Sequence, residues 1–340
     1  MFDIDKYFKD FQETDSIFKS RDVLRPEFVP TSLPHRDTQI RSIAEILACT
    51  FKDSTPSNIF IFGKTGTGKT AVVNYVCERL NHTREMAGIS KTKWIFLNCQ
   101  EVNTGYRIFA KICNQLDPSD KVPIAGWPID VVFEKAVERL EKHVNGYCFL
   151  VLDEIDVLVK KRRKNHDVLY NLARINSKLE STKVSLIGIS NVLDFKKSLD
   201  PRVRSSLSEE EIVFPAYNAV ELRSILSQRS EKAFQEGCLE PSVIPLCGAL
   251  AAKEHGDARK ALDLLRKAGE LAERRGDSTV DNDHVYMAQE EIESDKLQEY
   301  YDKLPLQQKI IFFSIFKLQQ RDFKNIITGN VYDCYSEMQE

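Results

Sequence analysis

Apolar positions along this chain keep two periods, and the switching between them writes out most of the fold. Short continuous apolar runs stand at residues 59–62, 94–98, 147–152 and 184–190 and at the end of EEEIVFP, 209–215. They have strand length, and the run opening YCFLVLDEID (147–156) is apolar at both parities, as a parallel strand covered on both faces requires. Between them the period changes to that of a helix. Ile40, Ile43 and Leu47 share one face, AVVNYVCERL continues to about residue 80, and YRIFAKICNQL and DVVFEKAVERLEKHV are joined by the Pro- and Gly-broken DPSDKVPIAGWPI. Five strands interleaved with helices predict a parallel, doubly wound α/β sheet with its ligand at the carboxyl ends of the strands. From Tyr217 the pattern is helical throughout, in four segments starting at YNAVEL, PSVIPL, GDARKAL and DNDHVY. In the third, Asp257 is placed to cap the start, and Leu262, Leu265, Ala268 and Leu271 form one stripe. A further unit opens with PLQQKIIFFSIFKL and ends with TGNVYDCYSEMQE. At the other end, residues 1–16 read as a charged arm, and prolines 26, 30 and 34 keep the following segment extended up to a helix starting near His35. The predicted units are thus 1–16, 17–216, 217–300 and 301–340.

The chemistry sits where the first strand ends. Gly63-Lys64-Thr65-Gly66-Thr67-Gly68-Lys69-Thr70 fits G-x-x-x-x-G-K-[ST] at every fixed position, after a strand and before a helix that begins at Ala71. Glycines let the backbone turn its N–H groups inward onto phosphate oxygens, with the N-terminus of the following helix behind them. Lys69 then reaches the β- and γ-phosphates of ATP and Thr70 the Mg²⁺. Roughly 80 residues on, the third strand ends in Asp153-Glu154. Phosphoryl transfer needs that pair beside a phosphate loop, Asp153 to hold Mg²⁺ and Glu154 to polarise the attacking water. Asn191, at the end of the fourth strand, is within reach of the γ-phosphate or the water. The basic run KKRRK at 160–164 is read either as a solvated loop or as a nucleic-acid contact.

Bulk composition narrows the setting. The 340 residues, 42% hydrophobic and 29% charged, suffice for two or three packed domains. No apolar run approaches the ~18 residues of a membrane span, and the acidic start is unlike a signal peptide, so the expectation is a cytoplasmic protein without a membrane partner. Eight cysteines include no C-x-x-C pair, which favours reduced, buried thiols over zinc ligands. A formal charge of -3 does not announce a polyanion binder, leaving any nucleic-acid contact to local patches.

IFKSRDVLRPEFVPTSLPHRDTQI, SNVLDFKKSLDPRVRSSLSEEEIVFPAY, HGDARKALDLLRKAGELAE and LPLQQKIIFFSIFKL, taken with the phosphate loop, resemble the AAA+ ATPases. Within these they are similar to the archaeal origin-recognition replication initiators, relatives of the eukaryotic origin-recognition complex and its helicase-loading partner. The resemblance runs from Ile17 to the C-terminus. It implies an AAA+ sheet, a helical lid, and a winged-helix domain whose recognition helix enters a DNA groove. The chain ends about where that helix begins, so the winged helix is expected to be incomplete. The resemblance makes Asp153 and Glu154 the Walker B acids, Asn191 sensor 1 and Arg259 sensor 2. It places Tyr217 and Arg229 on the nucleotide where sheet meets lid, and gives the arginine finger to Arg202, with Arg204 a second candidate. It assigns residues 104–132 to a DNA-contacting insertion whose turn holds Val122, Gly126 and Trp127; the other reading of Trp127 is packing between the two insertion helices. The implied function is an ATP-dependent initiator that hydrolyses ATP slowly, binds double-stranded origin DNA in the nucleoid, assembles with other initiator subunits and recruits the replicative helicase. Two other readings stay open: an AAA+ loader such as a clamp-loader subunit, and a signal-transduction NTPase with no DNA.

Overall fold

The computed structural model describes residues 4, 16–26, 28, 30–161, 166–207, 209–320 and 325–338. Most of the predicted arm at 1–16, and residues 162–164 of the basic run, lie outside the described residues. Five strands form the sheet: β1 (Asn58–Gly63), β2 (Lys93–Asn98), β3 (Tyr147–Asp153), β4 (Lys183–Ser190) and β5 (Glu209–Phe214). Their order is β2-β3-β4-β1-β5 and every pairing is parallel. Strand parity divides the inner strands between two cores. Phe60, Phe62, Cys148, Leu150, Leu152, Val184 and Leu186 face one, while Ile59, Ile61, Phe149, Val151, Ile187 and Ile189 face the other. Each large side chain so buried contributes roughly 1.5–3 kcal/mol, which is why the inner strands tolerate no polar face.

Helices cover both faces. Ile43 and Leu47 of α1 (Asp37–Leu47) and Val72, Val73 and Val76 of α2 (Lys69–Met86) close the second core. On the first, Phe109 of α3 (Gly105–Leu116) meets Phe133 of α4 (Ile129–His143) at 4.9 Å between ring centroids. These two helices therefore belong to the sheet's own core as well as carrying the turn between them. Three shorter helices follow: α5 (Asp156–Lys161), α6 (His166–Ala173) and α7 (Pro201–Leu207).

The helical domain is built from α8 (Ala219–Ala233), α9 (Val243–Lys253), α10 (Ala258–Arg275) and α11 (Asn282–Lys303) around a third core. Caps set its helix starts: Asn218 and Glu221 form a capping box on α8, and Asp257 accepts from the N–H groups of Arg259 and Lys260 on α10. The predicted stripe on α10 is apt, with Leu262, Leu265 and Ala268 buried. The segment before the sheet packs elsewhere than chain order suggests. Ile17, Phe18, Val23 and Leu24 join the core of the helical domain, Phe18 stacks on Phe234 at 4.5 Å, and Arg21 pairs with Glu273 of α10. This strap returns across the junction of the two domains before α1 begins. The last two helices, α12 (Leu306–Gln320) and α13 (Thr328–Glu337), pack on each other. All eight cysteines are free thiols, and among the described residues no helix is long and apolar enough to cross a membrane.

Candidate nucleotide site

The turn from β1 into α2 carries the predicted phosphate loop. Gly66 (φ 67) and Gly68 (φ 85) adopt left-handed backbone that a side chain would strain. At Gly66 a Cβ would also fall 1.7 Å from Oδ1 of Asp257, so the loop apex has no room for one. Thr67 donates its hydroxyl to the Lys64 carbonyl at 2.9 Å, closing the loop on itself. Lys69, at the first turn of α2, is buried, and its Nζ donates to the carbonyls of Gly63 (2.9 Å) and Lys64 (2.7 Å) and to Oδ1 of Asn191 (2.9 Å). Burial lowers its pKa from 10.5 to about 8, opposed by the charge of Asp153 and reinforced by that of Arg259 across the cavity.

The end of β3 supplies the carboxylates. Thr70 donates to Oδ2 of Asp153 at 2.8 Å, and the Glu154 N–H donates to Oδ1 at 2.9 Å. Glu154 itself sits at φ 55, an uncommon conformation for a side chain of its size, which turns it off the strand end. Asp156 anchors the neighbouring strand: it accepts from the Ser190 hydroxyl (3.1 Å) and the Asn191 N–H (3.4 Å), and so aims Asn191.

Lid and strap complete a cavity of about 340 Å³. Of the predicted residues, Thr65, Gly66, Thr67, Gly68, Lys69, Thr70, Ala71, Asp153, Glu154, Asn191, Tyr217, Arg229 and Arg259 all line it. Gly63 stands behind the wall, where a Cβ would meet the Phe214 carbonyl at 2.5 Å; it is needed for close strand packing. Arg229 donates to the Phe28 carbonyl at 3.2 Å and lies 4.6 Å from the Phe28 ring, while its Nη1 is buried without a partner among the described residues. Such a donor at the cavity wall is suited to an acceptor brought by a ligand. With glycine-turned amides, a desolvated lysine and a Thr-Asp pair opposite, the residues fit a nucleoside polyphosphate with a divalent cation.

Several predicted residues lie elsewhere. Arg202 is 75% exposed at its side chain, outside the cavity, with Nε 3.2 Å from Oδ1 of Asp200; Arg204 is exposed as well. In the turn between α3 and α4, Val122 corrects the expectation of a DNA contact. It is 2% exposed, and its N–H and carbonyl are bracketed by the side-chain amide of Asn114 at 2.7 and 3.0 Å, so it anchors the turn. The tip beyond is open: Ile124 is 70% and Trp127 40% exposed, Gly126 (φ 112) has free space around it, and the Lys135 ammonium lies 5.5 Å from the Trp127 ring. Trp127 is thus partly exposed at the tip and partly covered by the helix that carries Lys135.

Sequence reasoning passed over Phe28 and the prolines Pro26, Pro30 and Pro34 as individual wall residues, and it assigned nothing to Asn74, Asn98, Arg36 or Asp156. Asp156 had a signal, the third acid of D-E-I-D; the others had none beyond residue type.

Residues 52–194 match the family described as AAA domain, and residues 223–290 the one described as Cdc6 AAA+ ATPase-type lid domain. The ORC1-type DNA replication protein of Pyrococcus abyssi is 50% identical over 339 residues, which cover 99% of this chain and 80% of that protein. The protein of the same name from Methanoculleus marisnigri is 51% identical over 340 residues, 97% of this chain and 79% of that one. Among solved structures, the Aeropyrum pernix ORC1 protein in complex with DNA superposes with a TM-score of 0.82 at 46% identity, covering 95% of this chain and 82% of that chain. Drosophila ORC bound to DNA, at 24% identity and a TM-score of 0.69, shares the fold. Identity near one residue in two over almost the whole length decides against the clamp-loader and switch readings: the chain belongs to the family of ORC1-type DNA replication proteins.

Proposed function

We propose that this protein is an ATP-dependent replication initiator that binds double-stranded origin DNA, acts with other initiator subunits in the cytoplasm at the nucleoid, and helps load the replicative helicase. The observation that carries the reading is the single cavity in which Lys69, Thr70, Asp153, Glu154 and Asn191 face the lid arginines Arg229 and Arg259. On ATP, Lys69 would exchange its loop carbonyls for β- and γ-oxygens, and Arg259 would close on the same phosphates from α10. Thr70 and Asp153 would hold Mg²⁺, which supplies charge neutralisation at the β- and γ-phosphates when bound. Glu154 orients the attacking water, and the amide of Asn191 keeps that water and the γ-phosphate in register. Hydrolysis is then a slow ATPase step that resets the lid.

Arg202 is exposed and outside its own site, as a finger offered to a neighbouring subunit must be. For DNA, the apolar tip at Ile124 and Trp127, with Gly126 giving the backbone close approach, suits insertion at a groove. The Aeropyrum pernix relative that superposes here was solved on DNA. Residues 17–216 would be the AAA+ unit, 217–300 the lid, and α12 and α13 the first helices of a winged helix within 301–340. Footprinting on candidate origins from the same chromosome, with ATP and with Lys69→Ala protein as the nucleotide-free control, tests the whole reading. ATP-dependent protection of one or a few sites is expected. Equal binding to unrelated duplex, unaffected by ATP or by Lys69→Ala, would refute it.

A further inference from the structure

Among the described residues Arg36 is one of the largest fully buried side chains, 1% exposed, and no carboxylate forms an ion pair with it. Its charge is spread over backbone instead. Nε donates to the Thr67 carbonyl (2.9 Å), Nη2 to the Pro215 carbonyl (2.8 Å) and Nη1 to the His35 carbonyl (3.1 Å), and the guanidinium lies 3.7 Å from the Tyr217 ring centroid. Burial pushes its pKa below the ordinary arginine value, with Tyr217 and Glu221 opposing. His35, just before it, adopts left-handed backbone at φ 62, so the chain turns sharply where Arg36 enters the core. A lone buried guanidinium is costly unless its donors are used, so the two carbonyls it bridges identify what it holds together.

Thr67 belongs to the phosphate loop, and residues 215–218 are the passage from β5 into the lid. The contacts then close into a ring. The Tyr217 N–H donates to the Gly256 carbonyl (3.3 Å), and two residues on, the Ala258 N–H donates to the Gly66 carbonyl (3.2 Å), beside Asp257, which fills the space where Gly66 lacks a Cβ. Loop, hinge and the start of α10 thus form one closed circuit, and Arg36 is the member that joins loop to hinge. We propose that Arg36 is a positioning residue: it fixes the angle between the lid and the phosphate loop, so that a nucleotide on the loop is felt at the start of α10 and Arg259 is delivered to the phosphates. This rests on the nucleotide-site reading, but goes beyond it in naming how loop and lid communicate. Arg36 is not placed to contact the phosphates, since it lies behind the loop, 1% exposed and outside the lining of the cavity.

Hydrogen–deuterium exchange of the full chain with and without Mg·ADP tests it. In wild type, the nucleotide should slow exchange both in residues 63–72 and in residues 256–262. In Arg36→Gln, saturating ADP should still protect the loop, while protection of 256–262 falls at least about tenfold and ADP binds roughly ten- to a hundredfold more weakly. Arg36→Lys should recover part of the lid response, because an ammonium satisfies one of the two carbonyls and cannot bridge both. Tyr217→Leu removes the stacking face and leaves the carbonyls, so it should uncouple the lid to a smaller degree; it decides the matter if Arg36→Gln does not fold. Wild-type lid protection in Arg36→Gln at saturating ADP overturns the proposal. So does unchanged lid protection in Tyr217→Leu, or faster exchange everywhere with an intact nucleotide response. Failure of wild type itself to protect residues 63–72 would instead overturn the nucleotide-site reading.

Discussion

Lys69 makes nucleotide binding pH-sensitive in a calculable way. Its ammonium is held at a pKa of about 8 by burial, where an ordinary lysine titrates at 10.5. A polyphosphate bound against it favours the charged form and returns the pKa upward, so binding takes up a proton wherever the free site has lost one. The observed Kd then scales with 1 + 10^(pH − 8). Relative to acid conditions this is a factor of about 1.1 at pH 7, about 2 at pH 8 and about 11 at pH 9, or about 1.4 kcal/mol across the upper range. Phosphate ionisation near pH ~6 is complete before this window and does not contribute.

The assay is calorimetry of Mg·ADP binding from pH 7.5 to 9 in buffers of different ionisation enthalpy. Proton uptake should be near zero at pH 7, about one half at pH 8 and about 0.9 at pH 9. Lys69→Arg, charged throughout, should show a flat Kd over the same range whatever its absolute affinity. A wild-type Kd unchanged between pH 7.5 and 9, or a Lys69→Arg profile that falls in parallel with wild type, would refute the reasoning. Folding carries the converse sign. The unfolded chain binds more protons between pH 8 and 10.5, so stability of the nucleotide-free protein should rise with pH through that window by up to about 3 kcal/mol, the penalty being fully present below pH 8.

Three further outcomes are expected. Glu154→Gln keeps the shape of the strand end and the Thr70–Asp153 pair, so ADP affinity should stay within about threefold while single-turnover hydrolysis falls by roughly 10²–10⁴; hydrolysis at the wild-type rate would remove Glu154 as the group that activates water. Arg202→Ala should melt and bind ATP as wild type does, yet lose hydrolysis or assembly on DNA that mixing with Lys69→Ala protein partly restores; no rescue at any ratio would return Arg202 to a surface partner of Asp200. Trp127→Ala should weaken duplex binding roughly tenfold with little change in Tm, since the ring is 40% exposed; a drop of several degrees with unchanged DNA affinity would make it a packing residue.

What could be read in advance was whatever is local in the chain. The phosphate loop and the Asp153-Glu154 strand end are spacings on single elements, and the cap of α10 follows from Asp257 alone. Strand parity was equally legible, because the inner strands are covered on both faces. Arg36 was not, since its role comes from carbonyls 31 and 179 residues away and one more beside it in sequence. Val122 misled for a related reason. Between Pro and Gly breakers it reads as a turn residue, but the amide of Asn114, eight positions earlier, satisfies its backbone and lets the side chain go inward. The strap shows the limit of chain order. Ile17, Phe18, Val23 and Leu24 are an apolar set that either core would accept, and Gly269 of α10 decides it by leaving space: a Cβ there would lie 2.4 Å from Cζ of Phe18.

The placement of charge ties these observations to function. Lys69, Arg229 and Arg259 converge on a space where Lys69 makes hydrogen bonds to neutral acceptors and, among the described residues, Arg229 leaves a donor unused. Asp153, Asp257 and Glu154 offset part of the Lys69 charge, yet burial still outweighs them and holds its pKa down. Desolvation of these cations is therefore a cost that a bound anion relieves, and it sits on both sides of the domain junction. An anion bridging Lys69 and Arg259 relieves both sides at once. That relief is the differential interaction a ligand needs to shift the lid between positions. Removing Arg259 alone should leave the loop able to bind ADP but take away the reason for the lid to close, because α10 then gains nothing from the phosphates.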